Sequence, residues 1–280
     1  MGDIAGSRFE WKEWKSKEFV FLTDSNHFTD DSLMTLGIAR AFAMNKGKWR
    51  EPDFQQKVID SMLYVAKPYL NRGWWGANFY QWLTGSQTPY NSWGNGAAMR
   101  VSSVGWIADS EEEAKYFSRL VTEISHNHPE GIKGAEATAM AIYLARTGAD
   151  MPTIRERMIE YYPQIAKMTV DNIRPGYCID DQGSFISCQC SVPEAIVCFL
   201  ESSSLEDAIR NAISLGGDSD TQAAITGSIA EACWGIPYEL EEKTMEYLTD
   251  DLRSICYAFE TVRRRKTRKV CKNKTKIEPK

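Results

Sequence analysis

The chain has 280 residues, 43% of them hydrophobic, with only three histidines and with seven cysteines that form no CxxC pair. It is long enough to bury a large core in one domain, while the cysteine spacing excludes a zinc ribbon or a disulfide scaffold and points to reduced thiols. The net charge of −5 is segregated, because residues 263–280 carry ten Lys/Arg and one Glu, which leaves −14 for residues 1–262.

The expected organisation is therefore one domain over 1–262 followed by a basic, flexible tail over 263–280. Such a tail could bind nucleic acid, although a solvated basic end is the commoner outcome. No run of about 18 apolar residues occurs, so no membrane span is expected. The polar, acidic start lacks the pattern of a secretory signal, which makes the cytoplasm the expected location.

Taken from the N-terminus, Gly2-Asp3-Ile4-Ala5-Gly6 has glycines four apart with small residues nearby, a pattern for a helix lying close against another element. Glu10, between Phe9 and Trp11, reads on its own as a surface acid. Phe28-Thr29-Asp30-Asp31-Ser32 runs into a long helical pattern through Phe42. Thr29 suits an N-cap, and one acid in the first turn suits the helix dipole. Two adjacent acids point in different directions on a helix, so this pair could also reach two neighbouring ions.

A helical pattern at 54–69 ends at Pro68, and the aromatic run Gly73-Trp74-Trp75-Gly76 follows, best read as packing aromatics. Tyr90-Asn91-Ser92-Trp93-Gly94-Asn95-Gly96 leads into a helix. Its glycines can present backbone N–H groups to an anion, so it is a candidate phosphate cradle, without the spacing of a P-loop. An amphipathic helix over 111–125 turns Phe117, Leu120, Val121 and Ile124 inward and ends at His126-Asn127-His128-Pro129, a surface turn or a pair of ligands. Helical stretches cover 132–147 and 152–168, a long loop covers 175–190, and the chain is helical again from Val192. No strand-period run of any length appears, so the fold class expected is all-α.

Leu205, Ala208, Ile209, Ala212 and Ile213 form the stripe of an amphipathic helix that stops at Gly216-Gly217. The glycines permit left-handed dihedrals. Beyond them, Asp218-Ser219-Asp220-Thr221 opens a small-residue, strongly apolar helix. Asp218 and Asp220 could be ordinary capping acids or half of a site for Mg²⁺, Mn²⁺ or Ca²⁺, which take hard oxygen ligands.

Four blocks in order, GDIAGSRFE, FTDDS, SWGNGAAMRVS and LGGDSDT, resemble the ADP-ribosylglycohydrolase family over residues 2–238. The pairing of TDD and GGDxDT motifs, about 190 residues apart and both leading into helices, is the most specific part of the match. The resemblance implies a compact orthogonal multi-helix bundle holding two Mg²⁺ or Mn²⁺ ions, with Thr29, Asp30, Asp31, Asp218, Asp220 and Thr221 as ligands. It implies cleavage of the glycosidic bond between ADP-ribose and a modified protein side chain or related conjugate, the ions gripping the distal ribose. Glu10, with Asp30 and Asp220, would carry catalysis, and Glu10 would handle a proton. Ser92, Gly94, Asn95, Gly96 and His126 would hold substrate along its pyrophosphate.

A monomer is expected. A catalytically silent ADP-ribose-binding or partner-blocking protein on the same fold is the alternative. Trp93, Asn95, Glu231, His128 and the basic tail lie in variable or unfamiliar territory for the family.

Overall fold

The computed structural model describes residues 1–177, 179 and 184–274, with side chains as far as Arg264. Among the described residues the regular elements are helical: α1 (Gly2–Gly6), α2 (Asp30–Met44), α3 (Phe54–Ala66), α4 (Ala77–Thr84), α5 (Gly96–Met99), α6 (Ser102–Ile107), α7 (Glu111–Thr122), α8 (Pro129–Thr147), α9 (Met151–Tyr161), α10 (Val170–Ile173), α11 (Cys188–Leu200), α12 (Leu205–Ile213), α13 (Ser219–Trp234), α14 (Tyr238–Glu246) and α15 (Asp250–Lys274). Extended pairing is limited there to two isolated bridges, Lys12 with Gly217 and Gly94 with Ser187. The chain is an all-α, multi-helix bundle, and none of its described helices is long and apolar enough to cross a membrane.

Local chemistry sets the helix starts. Ser110, Asp150 and Ser204 each accept a backbone N–H three residues on, from Glu113, Thr153 and Asp207 respectively, which satisfies donors that a helix start leaves unpaired. In α12 the predicted stripe is the buried face, with Leu205, Ala208, Ile209, Ala212 and Ile213 all inside. Each Leu or Ile so buried contributes roughly 1.5–3 kcal/mol. Apolar and small residues surround α8 and α13 on most sides, and both run through the interior.

Helix α13 is the axis of the bundle, packed against α1, α8, α11 and α12. Its contact with α1 is made backbone to backbone. A Cβ on Gly2 would lie 1.9 Å from the Ala223 carbonyl oxygen, and one on Gly6 would lie 2.6 Å from the Asp220 Cα and the Ser219 carbonyl oxygen. The glycines four apart thus seat α1 on the first turns of α13, and the segment after α1 passes directly over Asp218 and Asp220.

Three boundaries differ from the sequence expectation. Helix α9 stops at Tyr161 because Pro163 opens a separate 3₁₀ turn. The predicted loop over 175–190 already contains a 3₁₀ turn at Ser184–Ile186 and the start of α11 at Cys188, while residues 178 and 180–183 lie outside the described residues. Helix α15 passes Val262 without a break and continues to Lys274. Arg263 ion-pairs with Glu231 and Glu260 and lies 4.2 Å from the Trp106 ring centre, so the start of the basic segment is built into the fold. Glu231, whose identity stood out in the sequence, is part of that anchor. Residues 275–280 lie outside the described residues.

Because Gly6 meets backbone atoms that cannot rotate away, Gly6→Ala is expected to destabilise the fold by about 1–3 kcal/mol, measured by urea unfolding. An unchanged midpoint would contradict the close α1–α13 contact.

Candidate active site

The first acid motif is held from outside its own helix. The buried carboxylate of Asp3 on α1 accepts from the Thr29 N–H (3.0 Å), the Thr29 hydroxyl (2.8 Å), the Ser32 N–H (3.0 Å) and the Ser32 hydroxyl. Asp3 therefore serves the free donors at the start of α2 and places negative charge at the positive end of its dipole. Asp30 and Asp31 are released from that task. The Asp31 Oδ2 atom accepts from the Thr221 hydroxyl at 3.3 Å, which joins the starts of α2 and α13. Its other oxygen, Oδ1, is buried without a partner.

The second motif turns on Gly216 and Gly217, at φ +77° and +73°. In this left-handed stretch the Gly217 N–H donates to the Lys12 carbonyl (3.0 Å), and the Gly217 carbonyl accepts from the Trp11 N–H (2.8 Å). The loop after α1 is thereby tied to the turn before α13. Trp11 itself has φ +60°, a conformation costing a bulky residue roughly 1–3 kcal/mol. Its indole N–H donates to Glu10 Oε1 at 2.6 Å. Asp218 occupies the N-cap position of α13 without capping it by its side chain. It instead accepts from the Asn95 amide at 2.6 Å.

Glu10, Asp218 and Asp220 come together, each with one carboxylate oxygen within 4.8 Å of the others, the one such group of three among the described residues. Asp31, Asp218 and Asp220 are buried, whereas Glu10 and Asp30 keep a face to solvent. Burial raises the proton affinity of all five acids, and mutual repulsion adds to it in most: Asp3 and Asp218 act on Asp30, Asp3 and Asp30 on Asp31, and Asp31 and Asp218 on Asp220. At Asp218 burial is opposed by hydrogen bonds from Asn95 and its own motif. Glu10 is pushed up to about 7 by burial and by the Asp218 charge, against the indole of Trp11. Partnerless buried oxygens on Asp31 and Asp220, set among repelling carboxylates, fit hard divalent cations.

Beside this cluster the segment from Tyr90 to Gly96 folds back on itself. The Tyr90 N–H donates to the Ser125 carbonyl (3.1 Å), the Asn91 N–H to the Asn127 side chain (2.7 Å), and the Gly94 N–H to the Ser92 hydroxyl (3.1 Å). The ring of His126, 5% exposed, closes the loop from beneath. Ser92, Gly94, Gly96 and His126 are thus neighbours. Asn95 points the other way, to Asp218 and to the Ser191 hydroxyl at 3.1 Å, and links the loop to the acids. His128 caps α8, accepting the Glu130 N–H at 3.1 Å.

The Thr29 hydroxyl donates to Asp3 at 2.8 Å and accepts from the Asp31 N–H at 3.3 Å, which leaves it one lone pair for a further ligand. Sequence reasoning missed Asp3, although a lone acid inside an otherwise small and apolar helix was a signal. It also missed the hold of Trp11 on Glu10, which carries no sequence signal. An apolar cavity of about 330 Å³ between α1, α2, α13 and α15 includes Asp31 and Ser32 in its wall, but neither Glu10, Asp218, Asp220 nor the glycine loop.

The ADP-ribosylglycohydrolase family model matches residues 1–269. ADP-ribosylhydrolase ARH3 of Mus musculus is 24% identical over 290 residues, covering 85% of this chain and 75% of the mouse protein. ADP-ribosylarginine hydrolase Tri1 of Pseudomonas putida (strain GB-1) is 26% identical over 276 residues, covering 87% and 71%. The Homo sapiens ADP-ribosylhydrolase ARH3 is 29% identical over 185 residues, or 52% of this chain and 51% of its own. A solved structure titled ADP-ribosylglycohydrolase-related protein complex shares the fold, with a TM-score of 0.66 and 18% identity over 94% of both chains.

An acid whose pKa is raised by folding holds more protons folded than unfolded, so its contribution to stability falls as pH rises. For the metal-free cluster that contribution is fullest below the ordinary carboxylate range and is lost as pH climbs through about 7 at Glu10. Metal-free Asp220→Asn is therefore expected to gain melting temperature relative to wild type steadily between about pH 5 and 7.5. A difference that stays flat over this range would contradict the raised proton affinity that burial and the neighbouring acids give Asp220.

Proposed function

Since the chain belongs to the ADP-ribosylglycohydrolase family and is a glycosidic-bond hydrolase of that type, we propose that it frees ADP-ribose from a modified acceptor at the crossing of α2 and α13. The observation that carries this reading is the meeting of Glu10, Asp218 and Asp220, with Asp31 joined to the same helix start through Thr221, Asp30 repelled by Asp218, and buried oxygens of Asp31 and Asp220 left without partners. The relatives' names, ADP-ribosylhydrolase and ADP-ribosylarginine hydrolase, support a protein-linked ADP-ribosyl group as substrate.

In this reading Asp30, Asp31, Asp218 and Asp220, with the hydroxyls of Thr29 and Thr221, hold two Mg²⁺ or Mn²⁺ ions. When bound, such ions would supply positive charge able to orient ribose hydroxyls and to offset charge as the glycosidic bond breaks. Asn95 fixes the direction of Asp218, and Asp3 fixes the start of α2, so the acids need not reorganise when substrate arrives. Glu10 meets Asp218 and Asp220 with one oxygen held by Trp11. Its proton affinity, near neutrality, suits a group that takes a proton from water or gives one to the departing acceptor atom. The loop Ser92-Trp93-Gly94-Asn95-Gly96 and His126 receive the diphosphate.

Purified protein with Mg²⁺ or Mn²⁺ is expected to release ADP-ribose from arginine- or serine-linked substrates, and chelation to abolish it. Glu10→Gln and Asp220→Asn should each lower kcat on the order of 10²-fold or more. Turnover that survives chelation, or no release from either linkage, would overturn the reading.

A further inference from the structure

Arg100, at the end of α5, is completely buried and has no carboxylate partner among the described residues. Its Nη2 donates to the Ser125 hydroxyl at 2.7 Å and lies 3.4 Å from His126 Nδ1. The guanidinium faces the Phe79 ring at 5.4 Å, and Nε is buried with no hydrogen-bond partner among the described residues. A cation kept out of water among neutral groups is costly, and burial draws the Arg100 pKa down to about 10. The groups that Arg100 meets, Ser125, His126 and the Phe79 ring, are all uncharged, so no ion pair explains a charge here.

Geometry assigns the proton on His126. A guanidinium has only donors, so the Nδ1 that faces it must present a lone pair. The Ser125 hydroxyl, 2.8 Å from the same Nδ1, accepts from Arg100 and can donate to His126 in turn. Burial and the Arg100 charge also oppose a doubly protonated ring. The single ring proton therefore sits on Nε2. That atom lies 3.2 Å from where a Cβ on Gly96 would stand and 3.7 Å from one on Gly94, so it lies directly against the glycine loop, most closely at Gly96. It has no hydrogen-bond partner among the described residues.

We propose that Arg100 is a positioning residue for anion binding: it fixes His126 as an Nε2–H donor facing the Gly94-Asn95-Gly96 loop and provides a buried positive charge that a bound diphosphate neutralises. This rests on the reading above that the loop receives the diphosphate of an ADP-ribosyl group. Arg100 acts through His126 and Ser125 and does not itself touch the ligand.

The chain has only three histidines, His27, His126 and His128, so side-chain ¹⁵N NMR of the full-length protein can assign the ring by comparison with His126→Gln. Wild type is expected to show His126 with an unprotonated Nδ1 and a protonated Nε2, and the Nε2–H signal should shift on addition of inorganic pyrophosphate. Arg100→Met should lose the single tautomer and weaken both pyrophosphate and ADP-ribose at least tenfold, leaving adenosine binding within twofold. Arg100→Lys, which keeps a donor and a charge, should restore part of the loss and guards against a folding defect in the first variant.

A wild-type ring protonated on Nδ1 would overturn the proposal. So would pyrophosphate binding that is absent, or unchanged in Arg100→Met. Pyrophosphate binding that depends on Arg100 in a protein that ignores ADP-ribose would leave the proposal standing and sink the functional reading on which the ligand's identity rests.

Discussion

The structure depends on keeping several carboxylates together where they repel one another. Asp31, Asp218 and Asp220 are buried, Glu10 and Asp30 are close by, and burial with mutual repulsion pushes most of them toward the protonated form. No hydrophobic gain requires this arrangement. It persists because the surrounding fold holds each acid by a different route. Asp3 anchors the start of α2 through four donors, Asn95 anchors Asp218, and Trp11 anchors Glu10. The two glycines of α1 bring these parts within reach by letting two backbones touch. Buried polar groups of this kind are expensive unless fully satisfied, and the oxygens of Asp31 and Asp220 left without partners are ones that a hard cation would satisfy.

The same logic explains the strain near Glu10. A tryptophan at positive φ and two left-handed glycines meet in one short antiparallel pairing. The pairing couples the loop that bears Glu10 to the turn that presents Asp218 and Asp220. A displacement of either motif is thus felt by the other, which keeps Glu10 in register with Asp218 and Asp220. Strain of this sort persists where surrounding contacts over-determine the backbone.

Much of this was legible in the sequence because it is local. The stripe of α12, the glycine stop at 216–217, the glycines of α1 and the acid pairs at two helix starts all follow from spacing and from the conformational freedom of glycine. The resemblance to a known family then joined motifs that no periodicity could join. What stayed hidden depends on tertiary approach. Asp3 looked like one residue of a small-residue helix, and only the meeting of α1 with α2 makes it a cap. Asn95 looked like part of a phosphate loop, and only the approach of α13 turns its amide toward Asp218. The basic segment looked detached because charge was read without its partners, whereas Glu231 and Glu260 hold Arg263 in the fold.

The central claim is that these acids form a divalent-cation site. Its most direct test is anomalous diffraction from crystals of the protein soaked in Mn²⁺. The account predicts manganese peaks in contact with Asp218, Asp220 and the Asp30-Asp31 pair, and their loss in Asp220→Asn. A map with no peak among these carboxylates at saturating Mn²⁺, or with manganese bound only elsewhere on the surface, would contradict it.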